Sequence, residues 1–274
     1  MVKMPGEVIK DRADASKVTV LNQIADKLKN DYGYDPGSID SYPGGDANRK
    51  LLARIDWNIS DAHKFSLRYN NTKNDHWVAP NGNSCDDGNS NSYRNYGYNR
   101  ASAASQPFSY NMYSEMNNVW SVAGELNSRF SNTVSNRLLA TYTNINDQRG
   151  SKSSPFPHID IMTDGDYSTG NWIPYTSLGY ELFTYNNGVK NTVLNVQDNL
   201  TFYLGSHTLT AGASYEHQMA HNSYMRNGTG FYRFASAEDF LKGNLPLSFV
   251  YTYGNNGVAS PAGRINYDQY GAYL

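Results

Sequence analysis

The chain has 274 residues, a formal charge of −2, 18% charged and 39% hydrophobic residues, and 23 each of Tyr and Gly. Near-neutral charge with a pI near 6.3 gives no electrostatic footprint for a nucleic-acid partner, and a single cysteine, Cys85, excludes an internal disulfide framework. Abundant Tyr, Gly, Asn and Ser suit strands and polar turns better than helices.

The opening "MVKMPGEVIKDR" has no apolar core of signal-peptide length, and nowhere do 18 apolar residues run together. No helix is therefore expected to cross a membrane. A membrane-crossing strand needs only about 9 to 11 residues, half of them polar, so a mean hydropathy of −0.67 does not exclude a barrel.

The first expected element is a helix over 16–30, with Leu21, Ile24, Ala25 and Leu28 on one face after a Ser16 cap. Next, "LLARIDWNISDAHKFSLRYN" predicts a hairpin of strands 51–59 and 63–71. Leu51, Ala53, Ile55, Trp57 and Ile59 share a face with Phe65, Leu67 and Tyr69, against Arg54, Asp56, Lys64 and Arg68 on the other. Cys85 follows in "NGNSCDDGNS" as a loop thiol with no His nearby in sequence to activate it.

Further strands are predicted at 118–127, 137–146, 193–203, 207–218 and 264–274. In 193–203, Leu194, Val196, Leu200 and Phe202 oppose Asn195, Gln197, Asn199 and Thr201, and Asp198 sits on the apolar face, which calls for an interfacial position or a bulge. His217 and His221 share one face, but their Cα atoms lie about 13 Å apart along an extended strand, too far for a shared metal. Ser236 followed by Asp239 predicts a short helix over 236–242. Trp57, Tyr69, Trp120, Tyr142, Tyr203, Tyr215 and Tyr273 fall in or near strand ends, where aromatic girdles would place several of them.

The links between strands alternate in length. Residues 60–62, 128–136 and 204–206 are short, whereas 72–117, 147–192 and 219–263 are long. Compact soluble domains rarely carry three such loops on one end, while outer-membrane barrels pair short periplasmic turns with long extracellular loops. The expected fold class is therefore all-β, part of an antiparallel up-and-down transmembrane barrel of about seven strands, with short helices on its long loops. Residues 1–50 are expected to form an extracellular loop segment with a short helix, and 51–274 the partial barrel with its long loops.

In that order "KLLARIDWNISDAHKFSLRYN", "FPHIDI", "VQDNLTFYLGSHTLTAGASYEHQ", "YRFASAEDFLKG" and "NYDQYGAYL" resemble the barrel portion of TonB-dependent outer-membrane receptors, closest to the Oar-like group of Bacteroidetes. The likeness extends to "LNQIADKLKNDYGYDPGSID" ahead of the first hairpin. It implies a fragment from the middle of a barrel of about 22 strands, in the outer membrane of a Gram-negative bacterium. It also implies lipid around the barrel, a ligand captured outside, and coupling to the TonB complex through a plug region not found in these residues.

No G-x-S-x-G, P-loop, dinucleotide fingerprint or H-E-x-x-H occurs, so neither an enzymatic activity nor a cofactor is expected. Asp164-Gly165-Asp166 and Cys85-Asp86-Asp87-Gly88 lack the full spacing of a calcium loop and read as solvated turns. His158, within "FPHIDI", is expected to shape its loop. The candidate ligand-binding residues are loop aromatics set among Asn, Ser and Gly: Tyr93, Tyr96, Tyr98, Tyr110, Tyr113, Trp172, Tyr175, Tyr180 and Tyr185. Rigid amphipathic rings give contact area at low entropic cost, which suits a peptide, a glycan or a chelated metal; bracing of the loops against each other is the competing role. The alternative function is a surface adhesin or carbohydrate-binding β protein without transport.

Overall fold

The computed structural model describes residues 15–80, 82, 100–102, 105–163, 174–255 and 262–274. Seven long antiparallel strands form one sheet in strict hairpin order. They are β1 (Asp46–Asn58), β2 (His63–Val78), β3 (Tyr113–Arg129), β4 (Val134–Ser151), β7 (Gly188–Leu204), β8 (His207–Ser223) and β11 (Ala262–Tyr273). Between them, short turns lie at one end and long loops at the other.

The two faces follow from the pairing. Directly opposed residues in an antiparallel ladder share a face. The matched rows Ile55–Leu67–Gly124–Ala140–Val196–Tyr215–Tyr270 and Ala53–Tyr69–Val122–Tyr142–Leu194–His217–Asp268 run across all seven strands on the apolar side. On the other side Arg54, Arg68, Ala123, Thr141 and Asn195 form one row, and Lys64, Asn127, Arg137 and Asn199 another.

The strands run longer than the sequence pattern indicated. β2 continues seven residues beyond 71 to Val78, and β3, β4, β7 and β8 lengthen likewise toward the long-loop end; β1 starts at Asp46 rather than Leu51. The loop limits 72–117, 147–192 and 219–263 contract to 79–112, 152–187 and 224–261. In "NNTKNDH", Asn70 to His76, both faces are polar, so no alternation marks the strand; backbone pairing alone extends it.

Asp198 sits in unbroken register, with no bulge, where Asn136 Nδ2 donates to its carboxylate at 2.7 Å. Trp57, Tyr69, Trp120, Tyr142 and Tyr215 lie on the apolar face, but only Trp57 is near a strand end; because the strands are longer than expected the other four fall mid-strand, and the Trp120 and Tyr142 rings meet at 5.4 Å. Tyr203 and Tyr273 do not. Their hydroxyls bond Ser135 and Asn199 on the polar face.

The long loops fold into a cap. β5 (His158–Met162), β6 (Pro174–Leu178), β9 (Phe231–Phe234) and β10 (Ser248–Val250) make a second sheet in the order β10-β9-β5-β6, with β5 and β9 parallel. Helix α1 (Ala15–Tyr32) packs on it through Leu21, Ile24 and Leu28, all fully buried with Phe108, Ile161, Leu178 and Phe240. The apolar stripe of α1 forms as expected, although the helix already begins at Ala15, so Ser16 lies inside its first turn. α2 (Ala237–Lys242) is capped as predicted, with Ser236 Oγ accepting from the Asp239 amide at 3.1 Å, and ends on Gly243 at φ 73°.

Candidate functional site

In the cap, residues far apart in sequence are locked together. At its centre lies Asp160 on β5, fully buried. Arg100, from the first long loop, clamps it with Nε and Nη2 at 2.8 and 2.7 Å. Ser177 Oγ on β6 donates at 2.7 Å, His158 Nε2 lies at 3.1 Å, and Arg233 on β9, from the third long loop, approaches to 3.9 Å. Burial alone would raise the Asp160 pKa, but the charges and hydrogen bonds of Arg100 and His158 outweigh it and hold the carboxyl well below its ordinary range. One ionised aspartate thus ties all three long loops together.

Neutral bonds complete the frame. Asn111 Nδ2, in a 3₁₀ turn (Ser109–Asn111), lies 3.0 Å from His158 Nδ1 and donates to the Gly179 carbonyl at 2.9 Å. The amides of Gln106 and Phe108 donate to the carbonyls of Tyr175 and Ser177, so residues 106–108 line the free edge of β6. Gly179 stands at φ 83°, and a Cβ there would fall 1.9 Å from the Pro157 carbonyl oxygen. Burial lifts the Tyr34 hydroxyl, bonded to Ser153 Oγ at 2.7 Å, to a pKa of about 12.

A second group of charges joins cap to sheet. Arg149, near the top of β4, reaches Glu115 on β3 at 3.3 Å and the buried Glu181 at 3.9 Å, and its guanidinium lies over the Tyr113 ring at 4.4 Å. Glu181 accepts from the Phe183 amide at 2.9 Å and Thr184 Oγ1 at 2.7 Å. A cleft of about 660 Å³ opens beside α1, between Asn22, Asp26 and Lys29 and the loop Gly37–Asp40, with Gln106 and Phe108 in its lining.

The candidate aromatics fall at separate places. Tyr180 and Tyr185 meet edge to face at 6.0 Å, and burial raises the Tyr180 pKa. Tyr113 is buried under Arg149. Tyr175 packs against the cap core with Lys17 Nζ 4.7 Å above its ring, and Tyr110 closes on Gly37. Tyr93, Tyr96, Tyr98 and Trp172, with Cys85 and the Asp164–Asp166 turn, lie outside the described residues.

The residues that sequence reasoning missed are Arg100, Asp160, Ser177 and Arg233. For Asp160 and Arg233 the signal is a charge flanked by large apolar residues in a short β-prone run, "HIDIM" and "FYRF"; Arg100 and Ser177 carry none. Among the described residues no three His, Cys, Asp or Glu side chains converge as metal ligands. His217 is paired with Asp268 at 2.8 Å. This arrangement can present a rigid surface, and it can hold charge and aromatic rings in fixed positions.

Comparison with known proteins agrees with the architecture. Residues 3–274 match the family model described as "Outer membrane beta barrel domain". No curated protein matches in sequence. Among solved structures, the outer membrane transporter YddB from Escherichia coli is similar at a TM-score of 0.41 and 12% identity, over 89% of this chain and 33% of that chain. The chain thus spans about a third of that transporter's length.

Proposed function

This chain belongs to the outer membrane β-barrel domain family of Gram-negative bacteria, and on that premise we propose that it is the capture portion of a TonB-dependent receptor. In this reading the apolar face meets lipid and the polar face lines a wet lumen. The short turns lie in the periplasm, and the cap presents its surface to a peptide, glycan or chelated metal outside, with the described candidate aromatics bracing it from within. Uptake is driven through TonB, and the chain does no covalent chemistry of its own.

The observation that carries this reading is the asymmetry of the sheet ends. One end has tight turns such as Gly205-Ser206, and the other has loops folded into a buried, ion-paired cap. A cap held by a fully desolvated charge cluster is costly to build, and a rigid display surface is a use for it. Accumulation of a labelled peptide mixture, an oligosaccharide and chelated iron should be compared in wild-type, gene-deleted and TonB-deficient cells. One of these probes should enter only when both gene and TonB are present. Cell-surface binding that persists without TonB, with no uptake of any probe, would identify an adhesin instead.

A further inference from the structure

We propose that the exposed apolar stripe on the outer edge of the cap sheet, Leu245, Leu247, Phe249, Tyr251 and Tyr253, is the seat of a further long loop of the full-length protein, the one at the head of the strand that pairs with β11. That loop docks on β10 as an added strand. The docking requires only the membrane barrel, not uptake, and so holds for a receptor and an adhesin alike.

The stripe is the uncovered end of the cap core. Leu178, Ile159, Tyr232 and Phe249 stand opposite one another across β6, β5, β9 and β10 and share one face. Beneath α1 that row is closed, with Leu178 and Ile159 buried in the core. At β10 the helix cover has run out: the Phe249 ring packs on Tyr232 at 4.6 Å yet stays 55% exposed. The run continues with an apolar or aromatic residue at every second position, and Leu245 at 91% and Tyr253 at 76% exposure leave both its ends open. Pro246, Ser248 and Val250 between them are half-buried. The whole stretch "NLPLSFVYTY", 244–253, has no charged side chain, so its partner is held by apolar contact and backbone pairing rather than by ion pairs. Among the described residues no strand lies on the far side of β10. An edge this apolar, with no lysine to guard it, is a template for pairing.

The topology names the segment that arrives there. At the opposite edge of the cap sheet β6 is covered by the neighbouring long loop, whose Gln106 and Phe108 amides donate to the Tyr175 and Ser177 carbonyls at 3.2 and 2.8 Å. The cap sheet thus follows the order of the hairpins: the first long loop lies against β6, the second supplies β6 and β5, and the third supplies β9 and β10. By that order the free edge of β10 is turned toward the loop beyond β11. Every pairing in the seven-stranded sheet is antiparallel, so β1 and β11 both run from the long-loop end to the short-turn end. A copy of the chain oriented alike in the membrane offers only edge strands of that same direction, and pairing with either would be parallel. β11, exposed along its whole length, is therefore satisfied by a strand running the other way, since no backbone edge stays unpaired in lipid. Such a strand delivers its long loop beside β10.

Thiol labelling of the full-length protein tests this, with Cys85 and any other cysteine replaced by serine. In detergent, Leu245→Cys and Tyr253→Cys should react with a maleimide at least about tenfold more slowly than Glu238→Cys, which lies exposed on α2 in the same loop. Replacing the long loop beyond β11 by a Gly-Ser linker should bring both rates within about threefold of that control. If the shortened protein does not assemble, Phe249→Cys combined with single cysteines scanned through that loop should form a disulfide in the otherwise intact protein. Labelling as fast as the control, or protection that survives loop removal, overturns the proposal, as does a scan with no crosslink at any position. Protection on intact cells that is lost in detergent also overturns it, in favour of lipid or a second membrane protein.

Discussion

Replacing Asp160 with Asn should open the cap while leaving the seven-stranded sheet intact. The substitution removes the charge that Arg100 grips at 2.8 and 2.7 Å, His158 at 3.1 Å and Ser177 at 2.7 Å, and it takes away the carboxylate shared by two fully buried guanidinium groups, Arg100 and, at 3.9 Å, Arg233. Removing one partner of a buried pair costs about 3–5 kcal/mol. At about 1.4 kcal/mol per decade, that raises the opening equilibrium by roughly two to three and a half orders of magnitude. Hydrogen exchange reads this directly at the Phe108 amide, which bonds the Ser177 carbonyl at 2.8 Å, and at the Leu247 amide, which bonds Arg233 at 2.7 Å. Amides in β3 and β4 serve as the internal reference. The pH dependence has a defined sign. A carboxyl whose pKa is depressed on folding contributes fully above its unfolded value, about 3.9, and loses that contribution as pH falls through the folded value. Cap exchange in the wild type should therefore be insensitive to this group at pH 5 and accelerate below about pH 4, and that acid phase should vanish in Asp160→Asn. Phe108 exchange within about threefold of wild type would refute the idea that this cluster holds the cap.

Ile55→Arg or Leu67→Arg, opposed residues on the apolar face, should reduce assembly in the outer membrane by a penalty of about 2–4 kcal/mol each, whereas Arg54→Ala should assemble normally; heat-resistant folded protein in membrane fractions measures both. Gly179→Ala should destabilise the cap by about 1–3 kcal/mol, because it combines a positive φ with a clash against Pro157, and protease nicking confined to the loops would report it. Ser236→Ala should cost about 0.5–2 kcal/mol through loss of the α2 cap, visible as faster exchange at Asp239. Cys85 should react with a membrane-impermeant maleimide on intact cells, since the turn 60–62 and strand β2 lead it to the long-loop side; labelling only after permeabilisation would invert the topology.

The lower halves of the strands were legible because one face is greasy and the other wet, as in "LLARIDW". The upper halves were not, because Asn70 to His76 carry polar groups on both sides and the ladder leaves no trace in hydropathy. The helices were readable from apolar spacing and from Ser236. The cap sheet was not, for a different reason. Its central strands bury Asp160 and Arg233, residue types that sequence reasoning assigns to solvent, and the partner that makes burial tolerable, Arg100, comes from another loop. "FPHIDI" stood out as a motif, yet nothing local in it reveals the guanidinium that completes it.

The parallel ladder between β5 and β9 carries a consequence for the order of folding. It pairs His158 with Phe231, and the whole β7–β8 hairpin lies between them in the chain. Such a contact is costly to close early, since the intervening chain must be ordered before the pairing gains anything. Once β7 and β8 are zipped by their short turn and β4 pairs alongside β7, the ends of the two loops are already held side by side and the closure cost falls sharply. Refolding should then show two kinetic phases, with sheet formation preceding the burial of Asp160. A chain caught between them would display a finished wall with its upper loops still open to proteases.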